Sequence, residues 1–223
     1  MIEVLYEDNH IIAVNKKPGD LVQGDKTGDK PLGEYVKDYL REKYNKPGNI
    51  FCGIIHRLDR PVSGLVLFAK TSKALSRMNK LFRENTIQKT YWAIVENPPQ
   101  KKEARLEHYL IKNQQKNKSK AFLKPYEGAL KSVLEYKTLR KLDRYTFLEV
   151  YPTTGRHHQI RVQLSTLGSI IKGDLKYGAK RSNKDASICL HAREINFIHP
   201  VKKEPIKIIA PPPKNTLWKA CED

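Results

Sequence analysis

The chain has 223 residues, 42 Lys and Arg against 24 Asp and Glu, and a formal net charge of +18. That length holds one catalytic domain of one or two lobes with a sizeable core, and the charge favours a polyanionic partner through steering and counterion release. No run is apolar for long enough to span a bilayer, no signal peptide precedes the first strand-like segment, and Cys52, Cys189 and Cys221 are too few and too scattered for a disulfide framework; the expectation is a cytoplasmic protein with reduced thiols and no membrane association.

In chain order, Val4 to Gly19 reads as an opening hairpin with a turn at Glu7-Asp8-Asn9, a strand over Ile11–Lys16 and a second turn at Pro18-Gly19. An amphipathic helix is predicted over Pro31–Lys43. Next comes Gly53-Ile54-Ile55-His56-Arg57-Leu58-Asp59-Arg60-Pro61-Val62-Ser63-Gly64, leading into an apolar strand over Leu65–Ala69. Asp59 is conspicuous here, because an ionised carboxylate beside a buried strand is costly unless it is paired or used. A helix over Ser72–Glu84 follows, with Ser72 as N-cap and Leu75, Met78, Leu81 and Phe82 on one face. Further strands are predicted over Thr90–Val95, Ser132–Leu139, Tyr145–Tyr151, Glu194–Ile198 and Ile206–Ala210. Between them, Lys112 to Lys120 reads as a polar basic loop, and Lys172 to Lys184 as a second basic cluster. In Thr153-Thr154-Gly155-Arg156-His157-His158-Gln159-Ile160-Arg161, the spacing of Ile160, Leu164 and Leu167 predicts a short helix capped by Thr153 or Thr154 and stopped by Gly168. Strands and helices do not alternate regularly, so the class is α+β. Metal-ligand spacings and glycine-rich phosphate loops are missing, so neither a metal nor a cofactor is expected, and His191 and His199 read as structural.

His56-Arg57-Leu58-Asp59 followed by Ser63-Gly64 resembles the signature of the RluA-type pseudouridine synthases, which convert uridine in RNA to pseudouridine. The opening Lys17-Pro18-Gly19, Lys89-Thr90-Tyr91-Trp92-Ala93, the Thr154-Gly155-Arg156 to Arg161 block, Gly173-Asp174-Leu175-Lys176-Tyr177-Gly178 and the closing hairpin extend the resemblance over nearly the whole chain. Val62 stands where many members carry Thr, a loss of a hydroxyl with the β-branched shape retained. The resemblance implies a mixed, mostly antiparallel sheet flanked by helices around a central active-site cleft. It implies catalysis by Asp59, with Tyr91 against the uracil ring and Arg161 paired to Asp59, and it leaves open whether Asp59 attacks the anomeric carbon or takes the proton from carbon 2 of the ribose. It also implies RNA contacts through His56, Arg57, Arg60, Arg156, Lys172 and Lys176, with Arg57 filling the space of a flipped base. The expected partner is ribosomal or transfer RNA and the expected state a monomer, lacking the small RNA-binding domain many members carry in front. Two other readings are a non-catalytic RNA-binding or ribosome-assembly protein of the same fold and a hydrolytic nucleosidase using Asp59 with water.

Overall fold

The computed structural model describes residues 2–25 and 27–222. The chain forms two compact units, Met1–Gln88 with Ala192–Pro213, and Lys89–His191 with Lys214–Asp223.

In the first unit, β1 (Glu3–Glu7), β2 (Ile11–Lys16) and β4 (Ser63–Ala69) pair antiparallel in that order, and the short β3 (Gly53–Ile54) pairs antiparallel with the far end of β4. Two helices cover the two faces. On one, Ile12, Val14, Val66 and Phe68 pack with Leu32, Val36 and Leu40 of α1 (Leu32–Tyr44). On the other, Ile11, Ala13, Leu65 and Leu67 pack with Ala74 and Met78 of α2 (Ser72–Arg83). This explains why β4 is apolar at each position from Leu65 to Ala69 rather than at alternate ones: a strand covered on both faces has no solvent side. Pro31 stands at the N-cap of α1 and Asn45 closes it in the left-handed region. The cap of α2 is Thr71 rather than Ser72, because the Thr71 hydroxyl accepts from Ala74 N at 3.1 Å.

Glu7 closes β1 by accepting hydrogen bonds from Lys43, Lys70 and Tyr44, each at 2.7 Å. Burial by itself would raise this carboxyl, but the three donors override it and bring it from 4.5 to about 2. A carboxyl depressed in the folded state adds stability above its unfolded value and loses it as pH falls towards the folded one. Glu7→Gln is therefore expected to be less stable than the native chain above pH 4.5, with the gap closing as the pH falls to about 2, as read by urea titrations at stepped pH.

The second unit is built on five antiparallel strands in the order β5 (Gln88–Val95), β9 (Thr146–Pro152), β8 (Leu130–Lys141), β6 (Glu103–Asn113) and β7 (Lys118–Phe122). The stretch expected to be a basic loop is instead a hairpin: Lys112 and Lys120 lie on β6 and β7, and only residues 114–117 form the turn. Side chains of one strand alternate between faces, so half of that run is charged without the backbone leaving the sheet. Helix α3 (Gln159–Thr166) packs Val162 against Leu110, Ala121 and Tyr177. The expected threonine cap is absent. His158 occupies the N-cap in the left-handed region, and the Gln159 side chain reaches back instead, its Oε1 accepting from Arg156 N at 3.0 Å and the Thr154 hydroxyl at 2.7 Å. Gly168, at φ +76°, ends the helix as predicted, while Leu167 faces outward.

The chain then forms β10 (Leu190–Ile198), antiparallel to β11 (Pro205–Ile209), and ends in α4 (Thr216–Glu222). From Ala192 onward β10 belongs to the first unit and lies beside β4. Gly64 permits this approach: it has φ +113°, and a Cβ there would fall 2.4 Å from the Ala192 carbonyl oxygen. Backbone cannot yield as a side-chain tip can. Gly64→Ala is expected to cost at least about 2 kcal/mol of stability, measured by thermal or denaturant melting; an unchanged melting temperature would contradict the account of this contact.

Candidate active site

The charged motif occupies the loop that enters β4, all within the first unit. Asp59 begins a tight turn in which its carbonyl accepts from Val62 N at 3.0 Å. The floor of the turn is Lys16, the last residue of β2, only 1% exposed. Its ammonium donates to the carbonyls of Lys17 at 3.0 Å, Arg60 at 3.0 Å and Val62 at 2.6 Å, so all three of its protons are used. Gly19 N also donates to the Arg60 carbonyl, at 2.9 Å. The Lys-Pro-Gly turn and the Asp59 loop are thus fastened to one another around a single buried charge. Burial lowers the Lys16 amine to about 8, against the opposing pull of Asp20 and Asp59.

The flanking residues of the loop are held from the same unit. His56 accepts from Leu67 N at 3.1 Å through Nε2 and stacks on Phe82 at 5.1 Å between ring centroids. Arg57 donates to Gln23 at 2.9 Å and Arg60 to Asp29 at 2.6 Å; both are exposed. Val62 is buried, consistent with an apolar residue in place of a hydroxyl.

In the second unit, Tyr91 sits half-buried on β5 opposite Val150, between Lys89 and Ala93 on the same strand face. Burial lowers the Lys89 amine. Arg161 is 5% exposed and bound side-on by Asp174, itself 1% exposed: Nε donates to Oδ2 at 2.7 Å and Nη2 to Oδ1 at 2.8 Å. The two-point bond fixes the plane of the guanidinium as well as its position. Its carbon lies 5.2 Å from the centroid of Tyr177. The Tyr177 hydroxyl accepts from Ser119 N at 2.8 Å and is 2.9 Å from His158 Nδ1, joining β7 to the start of α3. Ser119 donates its hydroxyl to the His157 carbonyl at 2.7 Å.

Asp174 and Tyr177 belong to the Gly173–Gly178 motif, whose sequence alone assigns them no role. The available signal was the glycine before Asp174: Gly173 has φ +87°, and a Cβ there would lie 2.7 Å from the Ser187 carbonyl oxygen. Lys16 also left a trace, a lysine closing an otherwise apolar strand.

The basic residues of this unit have protein partners as well. Lys176 Nζ donates to the Asn117 carbonyl at 3.0 Å, Lys172 Nζ is hydrogen-bonded to Asn183 Oδ1, and Arg156 Nε reaches the Lys131 carbonyl at 3.4 Å. Arg156 and Lys176 remain exposed and Lys172 is half-buried. His191 and His199 are fully buried, and His199 Nδ1 accepts from Val201 N and Lys202 N. Among the described residues, no three His, Cys, Asp or Glu side chains gather as a metal site would require, and no helix is long and apolar enough to cross a membrane.

A sequence profile described as RNA pseudouridylate synthase matches residues 10–166. The chain belongs to this family. It is an RNA pseudouridine synthase, an isomerase. Over 228 residues it is 32% identical to tRNA pseudouridine synthase C of Vibrio cholerae, covering 94% of this chain and 91% of that relative. It is 34% identical over 216 residues to ribosomal large subunit pseudouridine synthase C of Buchnera aphidicola, covering 93% of this chain and 66% of that one. The structure of human RNA pseudouridylate synthase domain containing 4 superposes with a TM-score of 0.82 at 20% identity, covering 98% of this chain and 92% of that one, which shows the shared α+β fold.

The buried Arg161–Asp174 pair sets an expectation for this synthase. Asp174→Ala leaves a guanidinium buried with its carboxylate removed, and is expected to cost roughly 3–5 kcal/mol. Equilibrium unfolding of the variant checks the figure.

Proposed function

We propose that this pseudouridine synthase modifies uridines of transfer or ribosomal RNA, and that Asp59 is its reactive carboxylate. The observation that carries the assignment is the clamp on its loop. A lysine is buried in a strand, at the expense of desolvation, so that its three protons hold the backbone just after Asp59, at Arg60 and Val62, to the Lys17 turn. A loop needed only to connect two strands gains nothing from such rigidity, whereas a reacting group must be held to within a fraction of an ångström.

The target uridine leaves its stack, which costs a few kcal/mol for a paired base. Asp59 then acts on the ribose, either by attacking the anomeric carbon or by removing the proton on carbon 2. The bond from the anomeric carbon to N1 of uracil breaks. Uracil turns and rejoins through its carbon 5, N1 gains a proton, and carbon 5 loses one, so the RNA keeps its mass. Tyr91 supplies an aromatic face for the turning ring and a phenol near it for the last proton transfer. Arg161, its guanidinium plane fixed by Asp174, is the cation that this reading assigns to the reaction. In this reading the 223 residues make up one catalytic domain. Arg57, Arg60, Arg156 and Lys176, exposed and cationic, meet phosphates or occupy the gap the base leaves, while His56 and Lys172 are the more firmly held members of the same set. Relatives named for transfer RNA and for the large ribosomal subunit support these two substrates, and the working state is a monomer in the cytoplasm.

The test compares pseudouridine maps of cellular RNA with the gene deleted, restored, and restored as Asp59→Asn. Sites lost on deletion should return with the native gene and not with the variant. In vitro, the variant should bind the RNA within about threefold of the native protein and isomerise at least ~1,000-fold more slowly. Normal turnover by Asp59→Asn would remove Asp59 from the mechanism, and release of free uracil would indicate a nucleosidase.

A further inference from the structure

We propose that the turn joining β7 to β8 is a stacking platform for an unpaired base of the substrate RNA, next to the nucleotide that is isomerised. This rests on the RNA reading above and adds a contact to it. At the end of β7, the rings of Phe122 and Tyr126 lie parallel, with centroids 4.1 Å apart and planes within 2°. Successive bases of a nucleic acid stack in the same manner. Lys120 Nζ is 4.9 Å from the Phe122 centroid. Tyr126 nonetheless remains 55% exposed and neighbouring Leu123 81% exposed.

The turn is built to keep this arrangement. The Tyr126 carbonyl accepts from Ala129 N at 3.0 Å, and Gly128 supplies the positive φ, +72°, that the turn requires. The outer ring is therefore ordered before any partner arrives. An open aromatic face flanked by lysines matches a base with its phosphates, the combination by which single strands are held without sequence readout. Lys120 is the lysine at the pair itself, Lys124 and the carboxylate Glu127 lie in the turn, Lys118 Nζ is over the Tyr177 ring and Lys131 is paired with Glu107. The exposed apolar surface here is confined to Leu123, Tyr126 and Leu130, narrower than a protein partner would use.

Position along β7 indicates which base is received. Ser119, three residues before Phe122, donates to the Tyr177 hydroxyl beside Arg161. Three residues of strand span about 10 Å, so the platform takes a flanking nucleotide rather than the reacting uridine.

The experiment uses the full chain and a short single-stranded RNA carrying one fluorescent purine analogue beside a uridine, with affinity and fluorescence quenching measured together. The native protein and Asp59→Asn should bind and quench alike. Tyr126→Ala should bind roughly 5- to 100-fold more weakly and lose the quenching, while Tyr126→Trp should retain both. Because Tyr126 is at the surface, melting curves of the variants should match the native one. If Tyr126→Ala binds and quenches like the native protein, the platform is refuted and the catalytic reading stands. If neither the native protein nor Asp59→Asn binds, the RNA reading fails together with it. Loss of self-association in Tyr126→Ala with unchanged RNA affinity would assign the surface to a second copy of the chain and overturn the proposal.

Discussion

Complete burial of β4 is the constraint on which the first unit depends. With α1 on one face of its sheet and α2 on the other, no residue from Ser63 to Ala69 can carry a charge towards water. Polar function is pushed into the loop that enters the strand, and that loop has to be tied down by something other than apolar packing. Lys16 does this from the adjacent strand, where its ammonium meets three carbonyls. Gly64 meets the same constraint from the other side, since only a residue without a Cβ lets β10 come so close. The histidine, the aspartate and the glycine of one short motif thus answer three different physical demands: a ring that holds β4, a carboxylate at a braced turn, and an approach of two backbones.

The second unit solves a related problem by another route. Arg161 lies on a helix buried over most of its length, where an arginine would be costly without a partner. Asp174 supplies the charge and both acceptors, and Gly173 provides the backbone conformation that brings it there. Tyr177 extends the arrangement, its ring beside the guanidinium and its hydroxyl on β7. Rigidity therefore passes from the buried ion pair into the basic hairpin, whose far end carries Phe122 and Tyr126. Read chemically, one strand links a positioned cation at one end to an open aromatic face at the other. That is a sensible layout for a protein that must grip a flexible polyanion while one base reacts.

Much of the fold was legible because its periodicities are strong. The apolar run of β4 and the spacing of Leu75, Met78 and Phe82 leave little choice of structure. The hairpin of β6 and β7 was less visible, since the exposed strand residues Lys112, Asn113, Lys118 and Lys120 flank a turn of glutamine, lysine and asparagine, and the whole run reads as loop when the strand alternation is overlooked. The start of α3 departs from the threonine cap expected of it for a different reason. Threonine is the common cap, but here the side chain of Gln159 folds back to serve, a choice that depends on where Val133 and Thr154 lie in three dimensions. For the site, the blocks around Asp59, Tyr91 and Arg161 stood out, whereas Lys16 and Asp174 did not, because neither residue type is unusual where it stands in the chain.

The sequence by itself determined the family, the apolar strands and helices, and the motif residues on which the chemistry is proposed to rest. Tertiary structure alone decided their partners. Lys16 binds a carbonyl 46 residues away, Arg161 an aspartate 13 residues away, and Tyr177 a backbone amide 58 residues away. The physical reason is that local pattern reports whether a side chain is buried, while the hydrogen bonds that make a buried charge affordable come from whichever backbone the fold brings alongside it.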